Sequence, residues 1–255
     1  MSIRIKKILE SIFIKAAAPL ERAMFPTYYS ENFCIRDCVA IFPKKRIIVN
    51  RIKKAGNTSI TAFFADIEGI EFDNLHGLKS AIRRPLFIGP KKARALRNYY
   101  SIVFVRNPYE RVLSAFRDKV GGANPMFSKF PGYGIDSPSA FHQFVSALAN
   151  GELYSDRHWY PQVDLLYKPI SEFSFIGKLE SIEHDMSRIL NDLGLDAAYA
   201  QKLKGLHNVS THSTGSSALI GQYFSANSAE KIYWLYRKDF EAFNFSREHP
   251  SFRFS

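Results

Sequence analysis

The chain is poor in cysteine: Cys34 and Cys38, four residues apart, are its only two, and no histidine cluster stands beside them. That argues against a disulfide framework and leaves too few thiols for a zinc set, so two ordinary half-buried thiols in a reducing compartment are expected. No apolar run is long enough to span a bilayer. The most apolar stretch, within residues 1–25, is interrupted by Glu10, Lys15 and Glu21 and shows no cleavage site behind a long apolar core, so neither a transmembrane helix nor a signal peptide is read there. There is no internal repeat and no low-complexity tract. The G-x-x-x-x-G-K-[ST] signature is missing, which disfavours a nucleotide kinase of the P-loop type. No nucleic-acid motif and no dense Lys/Arg block appear, so nucleic acid is not an expected partner. Acidic residues are outnumbered, 24 Asp and Glu against 35 Lys and Arg, for a net charge of +11; an excess of this size suits an anionic ligand or surface.

What is present is apolar and aromatic. The 255 residues are 46% hydrophobic and include 22 Phe and 13 Tyr, ample for one sizeable core, and one α/β domain is expected. The chain is organised around residues 101–119. Ile102 to Val105 reads as a buried strand that stops at a polar turn. There Asn107 can cap a helix, Pro108 suits the first helical position, and Glu110 completes a capping-box-like pair with Asn107. Tyr109, Val112, Leu113, Phe116 and Val120 form the apolar stripe of that helix, and Asn107, Arg111, Ser114 and Asp118 its polar side. Arg106 is thereby set at the carboxyl end of a strand, where open α/β sheets bind ligands and where a guanidinium suits a phosphate.

An earlier segment has the same plan. Residues 46–50 read as a short buried strand, Arg51 to Ser59 as a loop rich in small residues, and Ile60, Phe63, Phe64 and Ile67 as the apolar face of a helix. The free amides at such a helix start bind anions.

Both segments resemble the carbohydrate-type sulfotransferases, which use 3′-phosphoadenosine 5′-phosphosulfate (PAPS). Residues 104–119, FVRNPYERVLSAFRDK, are similar to that family's R-N-P-x-x-R-x-x-S motif, which implies that Arg106 and Ser114 hold the 3′-phosphate. Lys54, Ala55, Gly56, Asn57, Thr58 and Ser59 are similar to the loop that receives the 5′-phosphosulfate, usually P-K-x-x-x-T-S, with Lys53 standing where the family commonly has proline. The two motifs come in the family's order, and the 52 residues from Lys54 to Arg106 leave room for a helix and a crossover. His158 to Gln162 resemble an H-W-x-P-Q segment of the same family, Phe175 to Glu180 its F-I-G-x-x-E pattern, and the last helix, with Ile232, Leu235, Tyr236 and Phe240 at core spacing, its closing helix.

The resemblance spans roughly residues 46–245 and implies a P-loop-like three-layer α/β fold, with a mostly parallel central sheet flanked by helices. It implies sulfuryl transfer from PAPS to a hydroxyl of a glycan or small sugar, release of adenosine 3′,5′-bisphosphate, and no metal. Lys54 would stabilise the leaving group, and the general base would be His76, His158 or a carboxylate. His142, His184, His207, His212 and His249 read as surface or helix residues without motif support. The alternative is a catalytically inactive nucleotide or polyanion binder of the same fold.

The remaining segments give coarser expectations. Residues 1–45 read as an N-terminal helical extension ahead of a domain at 46–255. Ile5, Ile8, Leu9 and Ile12 fall at helical spacing among basic residues; such a helix either docks on its own domain or rests on a membrane surface. The expected location is cytoplasmic, with membrane association on the cytoplasmic face. A helix is expected near 90–99, a long aromatic-bearing loop at 121–138, a helix from Ser139 to Leu148, and a Ser/Thr/Gly-rich loop at 208–217 beside the nucleotide pocket.

Overall fold

Short β-branched and aromatic runs assemble one sheet. This computed structural model describes residues 39–74, 77–78, 95–203 and 215–252. Among them β1 (Val39–Phe42), β2 (Ile47–Asn50), β3 (Tyr100–Val105) and β4 (Phe175–Lys178) lie side by side in that order. β1 and β2 form an antiparallel hairpin, whereas β2–β3 and β3–β4 are parallel. The expected boundary at residue 46 cuts that hairpin. Among the described residues the sheet begins at Val39, where Val39–Phe42 is a fully buried apolar run that reverses through Pro43–Arg46, with Arg46 in the left-handed region.

Parallel strands need crossovers, and these carry helices. α1 (Asn57–Glu68) follows β2, and α2 (Pro108–Lys119) and α3 (Pro138–Ala149) follow β3. After β4 come α4 (Ile182–Asp192), α5 (Asp196–Leu203), α6 (Ser216–Tyr223), α7 (Ala226–Leu235) and α8 (Arg237–Ala242). Strand alternation sorts the core. Ile102 and Phe104 pack with Phe63, Phe64 and Ile67 of α1 and with Met186 and Ile189 of α4. Val103 and Val105 belong to a different cluster, with Ile52, Leu165 and Phe243. A further core joins Phe116 of α2, Phe141 and Phe144 of α3, Ile220 of α6 and Ile232 of α7 around Trp159. The result is the expected sheet with helices on both sides. In β4 the ring of Phe104 occupies the space of a side chain at Gly177, where a Cβ would lie 2.4 Å from Cε1.

Several local expectations need correction. Asn107 does cap α2, accepting from the Tyr109 N–H, with Pro108 at the first helical position. Glu110 forms no capping box; the Asn107 N–H goes instead to Glu180 Oε1 at 2.6 Å, because the Glu110 carboxylate is drawn to Arg106. Arg111, on the polar side by spacing, is fully buried. The 121–138 loop is compact, with Phe127 and Phe130 each 5.1 Å from the Trp159 ring centroid. The closing helix is broken at Tyr236 into α7 and α8, with the Tyr236 hydroxyl donating to the Trp159 carbonyl. Residues 1–38, with Cys34 and Cys38, and the first half of the expected helix near 90–99 lie outside the described residues; its second half is a short 3-10 turn, Leu96–Asn98, that leads into β3. Among the described residues no helix is long and apolar enough to cross a membrane.

Candidate active site

β2 and β3 deliver two loops to the same end of the sheet. The end of β2 is fixed by Asn50, whose side chain donates to the Leu165 carbonyl at 3.0 Å and accepts from the Tyr167 N–H at 2.9 Å. The chain then turns through Lys54 (φ 67°) and Gly56 (φ 72°), both left-handed. Glycine adopts that conformation without penalty and lysine does not. Gly56 is also tightly covered, since a Cβ there would lie 2.8 Å from Leu179 Cδ1. Gly56 offers no side chain to cap α1, so the first amides of the helix stay available to an anion. Asn57 and Thr58 are half-buried and Ser59 is buried; Asn57 Oδ1 accepts from Arg51 Nε at 2.8 Å.

Two guanidinium groups hold this loop by its backbone. Arg106 Nη1 donates to the Lys54 carbonyl at 3.4 Å and Arg111 Nε to the Lys53 carbonyl at 3.0 Å. Arg111 also donates to the carbonyls of Tyr160 at 2.8 Å and Arg157 at 3.3 Å. The strained Lys54 conformation therefore persists because its surroundings over-determine it. The Lys54 ammonium lies 3.1 Å from Asp118 Oδ2, which also receives Lys119 at 3.0 Å. Burial pushes the Lys54 pKa down, and Asp118 opposes that shift.

Arg106 is held at both of its backbone groups by Gln162, which is fully buried: Oε1 accepts from the Arg106 N–H at 2.9 Å and Nε2 donates to its carbonyl at 2.8 Å. Asp239 in turn accepts from the Gln162 and Val163 N–H groups at 2.8 and 2.9 Å. The Arg106 guanidinium donates to Glu110 Oε2 at 3.1 Å, Ser216 Oγ at 3.0 Å and Ser217 Oγ at 3.2 Å. Glu110 also accepts from Ser217 and contacts His249 Nε2 at 3.5 Å. Burial raises the Glu110 pKa, but His249, Ser217 and Arg106 outweigh it and bring it down to about 2. Ser114 is buried further along α2.

His158 completes the group. Its Nδ1 lies 2.5 Å from Asp156 Oδ1. A carboxylate can only accept there, so Nδ1 carries the proton and Nε2 keeps a lone pair. Burial lowers its pKa; Asp156 raises it, while Lys53 and Lys119 lower it further. The net shift is downward, toward the neutral imidazole. His76 lies outside the described residues. A groove of about 630 Å³ beside α3, lined by Lys129, His142 and Glu152 among others, shares no lining residue with this group.

Sequence reasoning gave no role to Glu110 beyond its cap, or to Arg111, Asp118 or Gln162, and read His249 as a surface or helix residue although its side chain is only 8% exposed; it placed Ser216 and Ser217 in a loop beside the pocket, whereas they open α6 and reach Arg106. The spacing of Arg106 and Glu110, four residues apart, was a usable ion-pair signal. For Asp118 the only signal was its place on the polar side of α2.

The sheet is mostly parallel and carries two cation-bearing loops on adjacent strand ends, an arrangement that can receive anionic groups. Residues 38–246 match the Sulfotransferase family, and the chain belongs to that family. It is 25% identical over 272 residues to carbohydrate sulfotransferase 8 of Homo sapiens, covering 95% of this chain and 62% of that protein. It is 28% identical over 174 residues to carbohydrate sulfotransferase 9 of Homo sapiens, covering 59% of this chain and 38% of that one. With carbohydrate sulfotransferase 14 of Danio rerio the identity is 32% over 114 residues, 39% of this chain and 31% of that protein. The chain thus spans 62% or less of the length of these relatives. No solved structure matches it.

Proposed function

We propose that this chain moves a sulfuryl group from PAPS to a hydroxyl of a carbohydrate. The observation that carries the reading is the bond from Arg106, at the end of β3, to the carbonyl of Lys54, after β2: it joins two anion-receiving loops into one site. The names of the relatives supply the class of acceptor. The residues fit the donor. Lys54 and the α1 amides suit a phosphosulfate, and Arg106 with Ser114 suits a second phosphate.

When bound, the donor supplies an activated sulfuryl group on a phosphate leaving group. Lys54 neutralises charge on that leaving group, and the amides of Gly56 to Ser59 orient it. Arg106 and Ser114 hold the 3′-phosphate, for which Arg106 exchanges its bond to Glu110. His158, through Nε2, takes the proton of the acceptor hydroxyl, with Asp156 fixing its ring. His76 is the other candidate for that role.

Transfer of radiolabel from PAPS to a panel of glycans tests the reading, together with calorimetric titration of adenosine 3′,5′-bisphosphate, AMP and ATP. Label should move to a glycan, and affinity should depend on the 3′-phosphate. Arg106→Ala should cost about 1.5–3 kcal/mol with the bisphosphate and little with AMP. His158→Ala should lower kcat by about 10²–10⁴ while sparing nucleotide affinity. Equal binding of AMP and the bisphosphate, with no labelled glycan, would defeat the proposal.

A further inference from the structure

We infer that Asp118 is the positioning residue of Lys54: it keeps the buried amine protonated and tied in place beside the Gly56 loop. The inference rests on the sulfuryl-transfer reading for its purpose, and on geometry for its substance. Lys54 and Asp118 are 64 residues apart in sequence and 3.1 Å apart in space, with side chains only 11% and 23% exposed.

The placement of Asp118 is unusual for a carboxylate. It stands in the last turn of α2, where the free carbonyls of the helix disfavour negative charge, and its neighbours there, Arg117 and Lys119, are basic. The adjacent Lys119 meets this carboxylate at 3.0 Å, and Lys54, brought from 64 residues away, meets the same oxygen at 3.1 Å. Asp118 also lies two helical turns beyond Arg111, which holds the Lys53 carbonyl. One helix therefore fixes the loop twice, by the backbone of Lys53 and by the side chain of Lys54.

The charges around the amine give this contact its consequence. Burial, Lys119 and Arg106 all act to strip the proton from Lys54, and Asp118 acts to keep it. On its other side Asp118 faces Lys119, which shares the same carboxylate oxygen. A lysine that neutralises a leaving group acts only as the ammonium. Without Asp118 the amine would titrate at lower pH, and turnover would fail on the alkaline side first.

Asp118→Asn keeps the shape and removes the charge. The first measurement needs no turnover: the pH at which Lys54 is half-modified by an amine-reactive reagent, read by peptide mass spectrometry on the intact folded protein. It should fall by about one unit, a tenfold change in proton affinity. Lys119→Ala should move it in the opposite direction, which keeps a test in hand if Asp118→Asn folds poorly. In assays of sulfuryl transfer the alkaline limb of kcat should shift down by the same amount for Asp118→Asn. The acid-side plateau should hold within a few-fold, adenosine 3′,5′-bisphosphate should bind no more weakly, and Asp118→Glu should restore the limb. An unchanged half-modification pH overturns the inference. So does a loss of kcat that is uniform across pH and accompanied by weaker nucleotide binding, since that is the mark of a merely structural residue. Should the parent protein transfer no sulfuryl group, the functional reading fails, while the modification measurement still decides the role of Asp118.

Discussion

Glu110 shows how one side chain can stand in for a ligand. Its carboxylate takes the Ser217 hydroxyl and the Arg106 guanidinium, the group proposed above for a second phosphate. Its depressed pKa has a stability consequence. The folded-state value, about 2, lies below the ordinary 4.5, so the unfolded chain binds the proton more readily. The contribution is present above pH 4.5 and is lost as pH falls toward 2. Urea unfolding between pH 5 and about 2.5 should therefore show a loss of stability that is smaller in Glu110→Gln. Equal slopes in the two proteins would mean that the cluster is not bound as described. At this scale the sequence was only partly legible. Arg106, Lys54 and His158 could be named because short motifs surround them. His249 could not, because its partner Glu110 is 139 residues away and nothing local marks it.

Among the elements, α2 contributes most to the site. Its apolar stripe was readable from spacing alone, and so was its start at Asn107 and Pro108. Its other face was misread at Arg111, since helical periodicity separates polar from apolar but cannot say that a polar side is buried. The guanidinium is fully buried and serves three carbonyls, those of Lys53, Tyr160 and Arg157. Arg111→Met preserves the bulk of the side chain and leaves all three without that donor. Loss of at least about 3 kcal/mol of unfolding free energy is expected, with weaker binding of adenosine 3′,5′-bisphosphate because the loop at Lys53 and Lys54 is freed. Denaturant titration and calorimetry would measure both. A near-neutral outcome would show that other contacts hold the loop. β1 was missed for a different reason: its apolar run is only four residues long and precedes a basic turn, too short for any period to show.

For the molecule as a whole, the parallel relation of β2 and β3 was legible because two strand–loop–helix segments announce it. The layers could be anticipated from the same segments. The stretch at 208–217 was expected beside the pocket, but that Ser216 and Ser217 would meet Arg106 from the start of a helix was not legible, because tertiary packing of α6 against α2 produces it. A ligand that engages both loops should tie the domain together. Saturating adenosine 3′,5′-bisphosphate, at about a hundred times its Kd, should add roughly 2.7 kcal/mol to stability, and AMP at the same concentration much less. The gap should narrow as salt rises, given the net charge of +11. Scanning calorimetry with the two nucleotides reads this directly, and identical shifts would show that the Arg106 end takes no part.

The two left-handed residues and two arginine clamps of the loop after β2 have a consequence for chain length. Connecting segments at a protein surface usually absorb an added residue with little penalty. Here the backbone is held at Lys53 by Arg111, at Lys54 by Arg106, and at Gly56 by the side chain of Leu179 pressed against it. These fixed points are consecutive or nearly so, and there is no slack between them. An insertion anywhere from Arg51 to Gly56 would have to break a clamp or turn Lys54 away from Asp118. This irregular stretch should therefore tolerate changes of length as poorly as the strand it follows.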